Sequence, residues 1–442
     1  MISSSEASKA STPLSGERRN AGRTRWWIVW TLFGSTSINY ISRQTFSVLS
    51  PMIATQYHLS HGDLAKIIGA FQLSYAFTWL VGGIFLDAVG TRIGLALAVI
   101  WWSAVNIAMG FCSSVAGFAA MRFMLGIGEG LNWPGASKTV AEWFPNEERS
   151  MAVAIFDSGS SVGGAIAAIV IPWIAIRYGW RLSFIFSGAL GFLWLGVWLY
   201  VYHPLKQHPR VSKEETALIQ AGQQRSFSIE GKDFWRWIHL LKDRKVWGIV
   251  LGRALTDPIG WFYVFWLPQY LSDARGFSLK QIALFAWMPF VASDIGNFTG
   301  GFLSGYLVRR GMTVFRARFW VCVVSCIPIL AGIPAARVDS ASSALILICF
   351  ALWGYSSWST MGLTLPSDLF PQEVVGTVTG LSGFAAGLAS VFFTFMIGVT
   401  VDRFSYRPAF LVAGLLPLLA TACVKFLIQP GSASEANVLP NV

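Results

Sequence analysis

The chain has 442 residues, of which 54% are hydrophobic and only 12% are charged, whereas a soluble globular chain has about 25% charged residues. This composition indicates a polytopic membrane protein and excludes a mainly soluble one. The net charge of +11 does not indicate nucleic-acid binding, because the Lys and Arg residues lie in loops between apolar segments. The cysteines lie in apolar surroundings and the histidines form no ligand cluster, so no disulfide or metal site is expected.

About twelve apolar segments follow one another, each close to the roughly 20 residues that a helix needs to cross a bilayer. The sequence therefore predicts an all-α polytopic membrane protein with twelve transmembrane helices in two pseudo-symmetric six-helix bundles. Basic clusters precede the first segment, fill the longest loop and follow the eighth segment, so the positive-inside rule places this side and both termini in the cytoplasm. The predicted domains are an N-terminal tail (1–25), an N-terminal bundle (26–202), a central loop (203–245), a C-terminal bundle (246–428) and a C-terminal tail (429–442).

Two pairs of related motifs indicate an internal repeat. AEWFPNEERS (141–150) follows the fourth segment and is similar to SDLFPQEVVG (367–376) after the tenth. GGIFLDAVGTR (82–92) and GGFLSGYLVRR (300–310) follow the second and eighth segments in the same way. Each helix of the first half thus corresponds to the helix six places later, which is the organisation of transporters that bind their substrate between two halves.

The fourth segment contains two charged residues, Arg122 and Glu129. A charge at the centre of a bilayer costs about 2.5–3.5 kcal/mol on insertion scales, and residues seven apart share a helix face. Both side chains are therefore expected to point into a polar interior. Glu129 is the leading candidate for a proton-coupling site, because a desolvated carboxyl group can exchange a proton near neutral pH. The alternative is a static ion pair between Glu129 and Arg122.

Arg43 lies in the interior of the first apolar segment. Its guanidinium group can form a bidentate contact with a substrate carboxylate, although pairing with a buried acid is the alternative. Asn39 and Tyr40 lie one turn earlier on the same side and can bind hydroxyl groups. We interpret these three residues as a candidate site for a hydroxylated anion.

The motif of Gly83, Asp87, Gly90 and Arg92 resembles the GxxxDxxGxR signature of the major facilitator superfamily. Within it, the chain is similar to the anion:cation symporter family and most to its hexuronate transporter branch. This resemblance implies import of a sugar-acid anion with protons across the bacterial inner membrane by a monomer, with no cofactor apart from the proton as coupling ion. The segments that carry it are GIGEGLNWP and EWFPNEERS around helix 4, TDPIGWFYVFWLPQYL (256–271) and FAWMPFVASDIGNFTGGFLSG (285–305).

The resemblance also implies roles for individual residues. Arg43, Asn39 and Tyr40 belong to the anion site, and Tyr75 matches a substrate contact of the family. Many relatives have Asp immediately before the arginine of helix 1, but this chain has Ser42. Helix 1 therefore cannot carry the proton, which makes Glu129 the leading candidate for that role. The signature residues Gly83, Asp87, Gly90 and Arg92 are expected to form a gating latch, with simple loop capping as the alternative.

Other polar residues in apolar segments have two interpretations each. Asp157 is either a second titrating group or a hydrogen-bonding group that faces helix 1. Asp257 precedes Pro258, so a local break in the seventh apolar segment is expected, with the carboxylate either coupling protons or capping the break. Asp294 lies in the middle of the eighth apolar segment and is a further proton-coupling candidate. Ser160 is either a substrate contact or a small packing residue, and Trp261 either stacks on a sugar or anchors the helix.

Several functions remain open and others are excluded. The substrate could instead be an aldonate, an aldarate or an aromatic acid, and a transporter-like sensor without net flux is a further alternative. An enzyme is not expected, because the sequence has no convincing metal cluster or nucleophile–base pair within the membrane. The chain also has no GxxxxGK[ST] motif, so ATP does not drive it through that motif. The expected partners are a small organic anion, protons and the lipid bilayer.

Overall fold

We describe residues 23–223, 240–370 and 372–428 of a computed structural model. The predicted C-terminal tail and most of the predicted N-terminal tail lie outside these ranges. So does most of the segment 233–245 of the central loop, whose alternation of apolar and basic residues predicts an amphipathic helix. The described residues between 24 and 202 are called the N-terminal half, and those between 244 and 428 the C-terminal half.

The N-terminal half consists of helices joined by short turns. Ser60 caps the second helix through its side chain and Ser114 caps the fourth, as expected for residues that accept bonds from the free N–H groups of a first turn. A short helix and one 3₁₀ turn follow before the second half. The helices are α1 (Thr24–Tyr57), α2 (His61–Val89), α3 (Thr91–Met109), α4 (Val115–Glu129), α5 (Asn132–Trp143), α6 (Asn146–Tyr178), α7 (Trp180–Val201) and α8 (Lys213–Gln223), with the 3₁₀ turn at Leu205–Gln207.

The C-terminal half repeats this arrangement and confirms the predicted all-α fold. Asp243 caps its first long helix. Its helices are α9 (Arg244–Arg275), α10 (Leu279–Phe285), α11 (Met288–Arg309), α12 (Val314–Ile329), α13 (Gly332–Ala335), α14 (Ala341–Leu369), α15 (Gln372–Arg403) and α16 (Arg407–Leu427).

Eight helical segments of the described ranges are long and apolar enough to cross a membrane. They belong to α2, α3, α6, α7, α12 with α13, α14, α15 and α16. The remaining long or paired helices are α1, α4 with α5, α9, and α10 with α11. These helices carry Arg43, Arg122, Glu129, Asp257 and Asp294, whereas Asp157 lies on α6. The side chains that make these helices less apolar therefore also mark the polar interior.

Two local features differ from the sequence expectation. The fourth apolar segment is interrupted immediately after Glu129, where Gly130 and Leu131 separate α4 from α5. The break expected at Pro258 is wrong, because α9 continues through it as a helix. Packing against neighbouring helices allows a transmembrane helix to contain proline without breaking, and Gly260 lies directly against Tyr355 of α14 at this level.

The two halves contact each other along several helix pairs: α2 with α15, α1 with α9, and α6 with α10 and α11. The face that carries Thr24 and Leu427 is called the terminal face. The other end, which carries the turns at 58–60, 276–278 and 404–406, is called the opposite face. The candidate site lies between the halves, where α1 and α4 meet α9.

Candidate functional site

Arg43 of α1 is at the centre of a buried polar cluster. Its side chain is buried, its Nε atom donates to Oε2 of Glu129 at 3.1 Å, and its Nη2 atom donates to Oδ1 of Asn39 at 3.0 Å. The guanidinium group lies over the rings of Tyr40 and Tyr75 at 4.5 and 4.6 Å from their centroids. These contacts fix the group, because hydrogen bonds hold its edge and aromatic rings cover its faces.

Glu129 is the last residue of α4 and is fully buried. One carboxylate oxygen, Oε2, accepts from Arg43, whereas Oε1 has no hydrogen-bond partner among the described residues. Asn132, just beyond the helix break, bonds to Ser35 at 2.6 Å and to Thr36 at 3.2 Å. The break therefore ties the end of α4 to α1 and holds Glu129 against Arg43 with one oxygen free to accept a proton.

Arg122 of α4 is also fully buried, but it does not form the ion pair with Glu129 that the sequence analysis gave as an alternative. Its Nη1 atom donates to the backbone oxygen of Arg43 at 3.2 Å, and the carboxylate of Glu129 bonds to Arg43. The Arg122 guanidinium lies over the rings of Phe71, Phe46 and Phe265 at 4.4, 5.3 and 5.3 Å. The aromatic rings and the carbonyl compensate in part for its lost hydration, and its Nε and Nη2 atoms have no hydrogen-bond partner among the described residues.

The buried cluster therefore contains two cations and one anion. With Glu129 ionised, Arg43 and Arg122 leave one uncompensated positive charge, and protonation of Glu129 leaves two. A buried charge of this kind is costly unless it is paired. The cluster is consequently complementary to an anion, and its excess positive charge increases when Glu129 takes up a proton.

An aromatic wall surrounds this cluster and includes residues of both halves. The ring of Trp261 in α9 lies 5.5 Å from that of Tyr75 and 5.7 Å from the guanidinium group of Arg43. The structure thus brings together Arg43, Asn39, Tyr40, Tyr75 and Trp261, which the sequence analysis selected separately. Aromatic faces beside polar groups suit the apolar C–H face of a sugar ring.

Asp157 of α6 and Asp294 of α11 form a second acidic group across the halves. The Oγ atom of Ser161 donates to Oδ1 of Asp294 at 2.5 Å, and the two carboxyl groups interact electrostatically. Ser160, the residue before Ser161 in α6, is half-buried. The neighbouring glycines of α6 pack against α1, since a Cβ at Gly163 would lie 2.2 Å from the backbone oxygen of Ser37.

Asp257 is paired with Arg253, a residue that the sequence analysis missed. The Nη2 and Nε atoms of Arg253 donate to Oδ2 of Asp257 at 2.8 and 3.2 Å, and Nη1 donates to Ser382 at 3.1 Å. The pair lies one turn apart on α9 and is largely buried. Its i, i+4 spacing within an apolar segment was the signal that could have identified it. The carboxylate therefore neutralises a cation, and no helix break exists for it to cap.

The signature residues of the loop between α2 and α3 make their contacts within the N-terminal half. Asp87 accepts from Nζ of Lys138 in α5 at 2.7 Å, and Arg92 donates to the backbone oxygen of Leu199 in α7 at 2.8 Å. Gly90 has a φ of 83°, a conformation that side chains strongly disfavour. Gly83 has open space around the position of a Cβ. Asp87 thus connects α2 to α5, and Arg92 connects α3 to α7, at the terminal face.

Membrane-length helices in two halves, with an unbalanced charge cluster buried between them, define a membrane transporter. The chain belongs to the Major Facilitator Superfamily, whose match covers residues 32–394. It is accordingly a transporter and not an enzyme.

Similar proteins include the "Hexuronate transporter" of Escherichia coli (strain K12), which is 30% identical over 93% of this chain and 95% of its own length. The "Galacturonate transporter" of Dickeya chrysanthemi is 34% identical over 63% of this chain and 81% of its own. The "Probable galactarate/D-glucarate transporter GarP" of E. coli (strain K12) is 28% identical over 93% of this chain and 96% of its own.

Solved structures share the fold at lower identity. A bacterial homolog of the human lysosomal transporter Spinster, inward-facing and occupied, has a TM-score of 0.71 at 18% identity, covering 92% of this chain and 97% of its own. A D-xylose-proton symporter has a TM-score of 0.70 at 18% identity, covering 92% and 98%.

Proposed function

We propose that this protein imports a sugar-acid anion, a hexuronate such as glucuronate or galacturonate, together with protons. The observation that carries the proposal is the buried cluster of Arg43, Arg122 and Glu129, in which the positive charge exceeds the negative charge. The names of the relatives, hexuronate and galacturonate transporters among them, support this substrate class.

The cluster supplies a physical basis for coupling. When Glu129 is protonated, it no longer neutralises Arg43, so the guanidinium edge that faced it becomes available to a substrate carboxylate. Protonation releases Arg43 from Glu129, and the substrate carboxylate compensates the positive charge that protonation leaves. Each therefore strengthens the binding of the other. The two bundles, 26–202 and 246–428, rock about this site in alternating access.

The distribution of arginines supports a substrate with one carboxylate. Arg253 donates two of its N–H groups to Asp257, and Arg122 is enclosed by three phenylalanine rings. Of these three arginines, Arg43 is the one left to donate to a carboxylate when Glu129 is protonated. The second candidate is an aldarate, which the similarity to a galactarate/D-glucarate transporter favours.

The same proposal includes the oligomeric state, the membrane and the orientation of the protein. The chain acts as a monomer in the bacterial inner membrane with both termini in the cytoplasm, as the basic clusters indicate. The terminal face is then cytoplasmic and the opposite face periplasmic. The proton is the coupling ion.

Uptake into proteoliposomes tests the proposal. An inward proton gradient is expected to drive accumulation of labelled glucuronate or galacturonate, and a protonophore is expected to abolish it. Competition by galactarate, gluconate and benzoate ranks the alternative anions. Saturable binding without accumulation would support a sensor and contradict the symporter.

A further inference from the structure

His61, the first residue of α2, joins the two halves at the opposite face. Its Nδ1 atom lies 2.7 Å from Oδ1 of Asp402, at the end of α15, and its Nε2 atom lies 2.8 Å from Oδ2 of Asp273, near the end of α9. One side chain of the N-terminal half thus contacts two helices of the C-terminal half. We call His61, Asp273 and Asp402 the His61 latch.

Both carboxylates of the latch act as acceptors. Asp273 accepts from Gln269 Nε2 at 2.9 and 3.0 Å and from Tyr406 Oη at 3.0 Å. Asp402 accepts from the backbone N–H groups of His61 and Gly62 at 3.0 and 2.8 Å. Each ring nitrogen of His61 therefore lies against a carboxylate oxygen that already accepts a hydrogen bond from another donor.

A neutral imidazole has one N–H group and one lone pair, whereas an imidazolium has two N–H groups. In the neutral form one ring nitrogen would direct its lone pair at a carboxylate oxygen less than 3 Å away. Only the imidazolium donates to both ionised acids at once, so the geometry of the latch favours the protonated ring.

Among the described residues, His61 is the cationic partner in the ion pairs of Asp273 and Asp402. Lys66 of the same helix pairs with Asp63 at 2.9 Å. The ring of Trp266 stacks beside the imidazole, with centroids 6.5 Å apart, and the ring of Tyr406 meets it edge-on. Asp273 and Asp402 are the charged groups that contact the imidazole among the described residues. The His61 side chain is 25% exposed, so solvent protons reach it from the opposite face.

We propose that His61 is a proton-binding latch: closing the halves at the opposite face takes up one proton on the imidazole, and opening them releases it. This inference rests on the alternating access of the proposed function. The latch works beside a second contact between the halves, in which Ser50 of α1 donates to Gln269 of α9 at 3.1 Å.

The latch proton differs from the proton assigned to Glu129. It enters and leaves on the same side of the membrane, so it adds nothing to transport stoichiometry. Because the closed state binds one more proton than the open state, the ratio of open to closed protein increases by about tenfold per pH unit where the linkage is complete. Low pH at the opposite face therefore favours closure there.

Distance measurements between two spin labels test this directly. Labels at Ser113→Cys and Asp339→Cys, exposed turn positions of the two halves at the opposite face, report closure when the five native cysteines are replaced by alanine. The purified protein is measured without substrate from about pH 5.5 to about pH 8.5, the range in which histidine changes charge. We expect the short-distance population to decrease as the pH increases.

Two substitutions of His61 and one control distinguish titration of His61 from other sources of the pH response. His61→Gln, which cannot titrate, is expected to remove most of the pH response, and His61→Lys, which stays charged, is expected to hold the short distance across the range. His58→Asn is the matched control, because His58 is exposed on the same face in a left-handed conformation that asparagine accepts. It should retain the wild-type response.

An undiminished pH response in His61→Gln would contradict the proposed latch. Label distances that do not change with pH in the wild-type protein would also contradict it. Failure of sugar-acid uptake would contradict the proposed function but leaves these distances unaffected, because no substrate is present. A pH response that survives in His61→Gln and disappears in Glu129→Gln would assign the proton to the buried cluster and refute the latch.

Discussion

The Nε atom of Arg43 lies 3.1 Å from Oε2 of Glu129, and this contact connects α1 to the last residue of α4. Both side chains are buried, and the pair is placed where α4 is interrupted. The cation that pairs with Glu129 is therefore the same residue that the sequence analysis assigns to the substrate. A proton and a substrate carboxylate therefore bind to opposite members of one ion pair, which is sufficient to link their binding.

Arg43→Lys is expected to weaken anion binding roughly 10- to 100-fold, the equivalent of one or two charge-assisted hydrogen bonds. An ammonium group keeps the charge but cannot reproduce the planar fork or the aromatic stacking. Calorimetric titration of the purified protein with glucuronate measures the effect. Arg316→Lys, at an exposed position of the terminal face, is the control, and equal affinities of the two variants would refute the assigned role.

Glu129→Gln is expected to abolish accumulation driven by a proton gradient while leaving substrate exchange intact. The amide mimics the protonated carboxyl group, so Arg43 stays available to the anion but no proton is carried. Uptake and counterflow in the same proteoliposomes measure the two activities. Asp157→Asn and Asp294→Asn are the comparison variants, and gradient-driven uptake that persists in Glu129→Gln but is lost in one of them would move the proton site there.

Much of the fold was predictable because the membrane imposes helices on apolar segments of sufficient length. The repeated EWFP and DLFP motifs and the charges in helices 1 and 4 likewise indicated two halves around a polar interior. Burial of Arg43, Arg122 and Glu129 follows from the cost of placing charge in lipid, and the structure places all three in one cluster.

The pairing within the cluster was not predictable from spacing along one helix. Arg122 and Glu129 share a face of α4, yet Glu129 bonds to Arg43 because the break after α4 and the contacts of Asn132 set its position against α1. His61 was not identifiable from the sequence for a related reason. Its partners Asp273 and Asp402 are distant in sequence and come together only when the halves meet.

Asp257→Ala is expected to destabilise the protein by about 3–5 kcal/mol, because it leaves the buried Arg253 without its counter-ion. Thermal unfolding in detergent measures the loss as a lower melting temperature. Arg253→Met combined with Asp257→Ala is expected to recover much of it, since removing both charges removes the penalty. Asp339→Ala, at an exposed position, controls for loss of an aspartate. A melting temperature as low in the double variant as in Asp257→Ala would contradict the pairing as the cause.

Asp87→Lys is expected to slow transport while leaving the affinity for the anion nearly unchanged. The Asp87 side chain is 69% exposed, so its ion pair with Lys138 contributes only about 0–1 kcal/mol to stability. A latch at the terminal face acts on the exchange between conformations, and the substrate site lies elsewhere. Initial uptake rates and calorimetric binding separate the two effects. The charge-exchanged variant, Asp87→Lys with Lys138→Asp, is expected to restore much of the rate. A rate that stays at the wild-type value in Asp87→Lys would leave loop capping as the role of this residue.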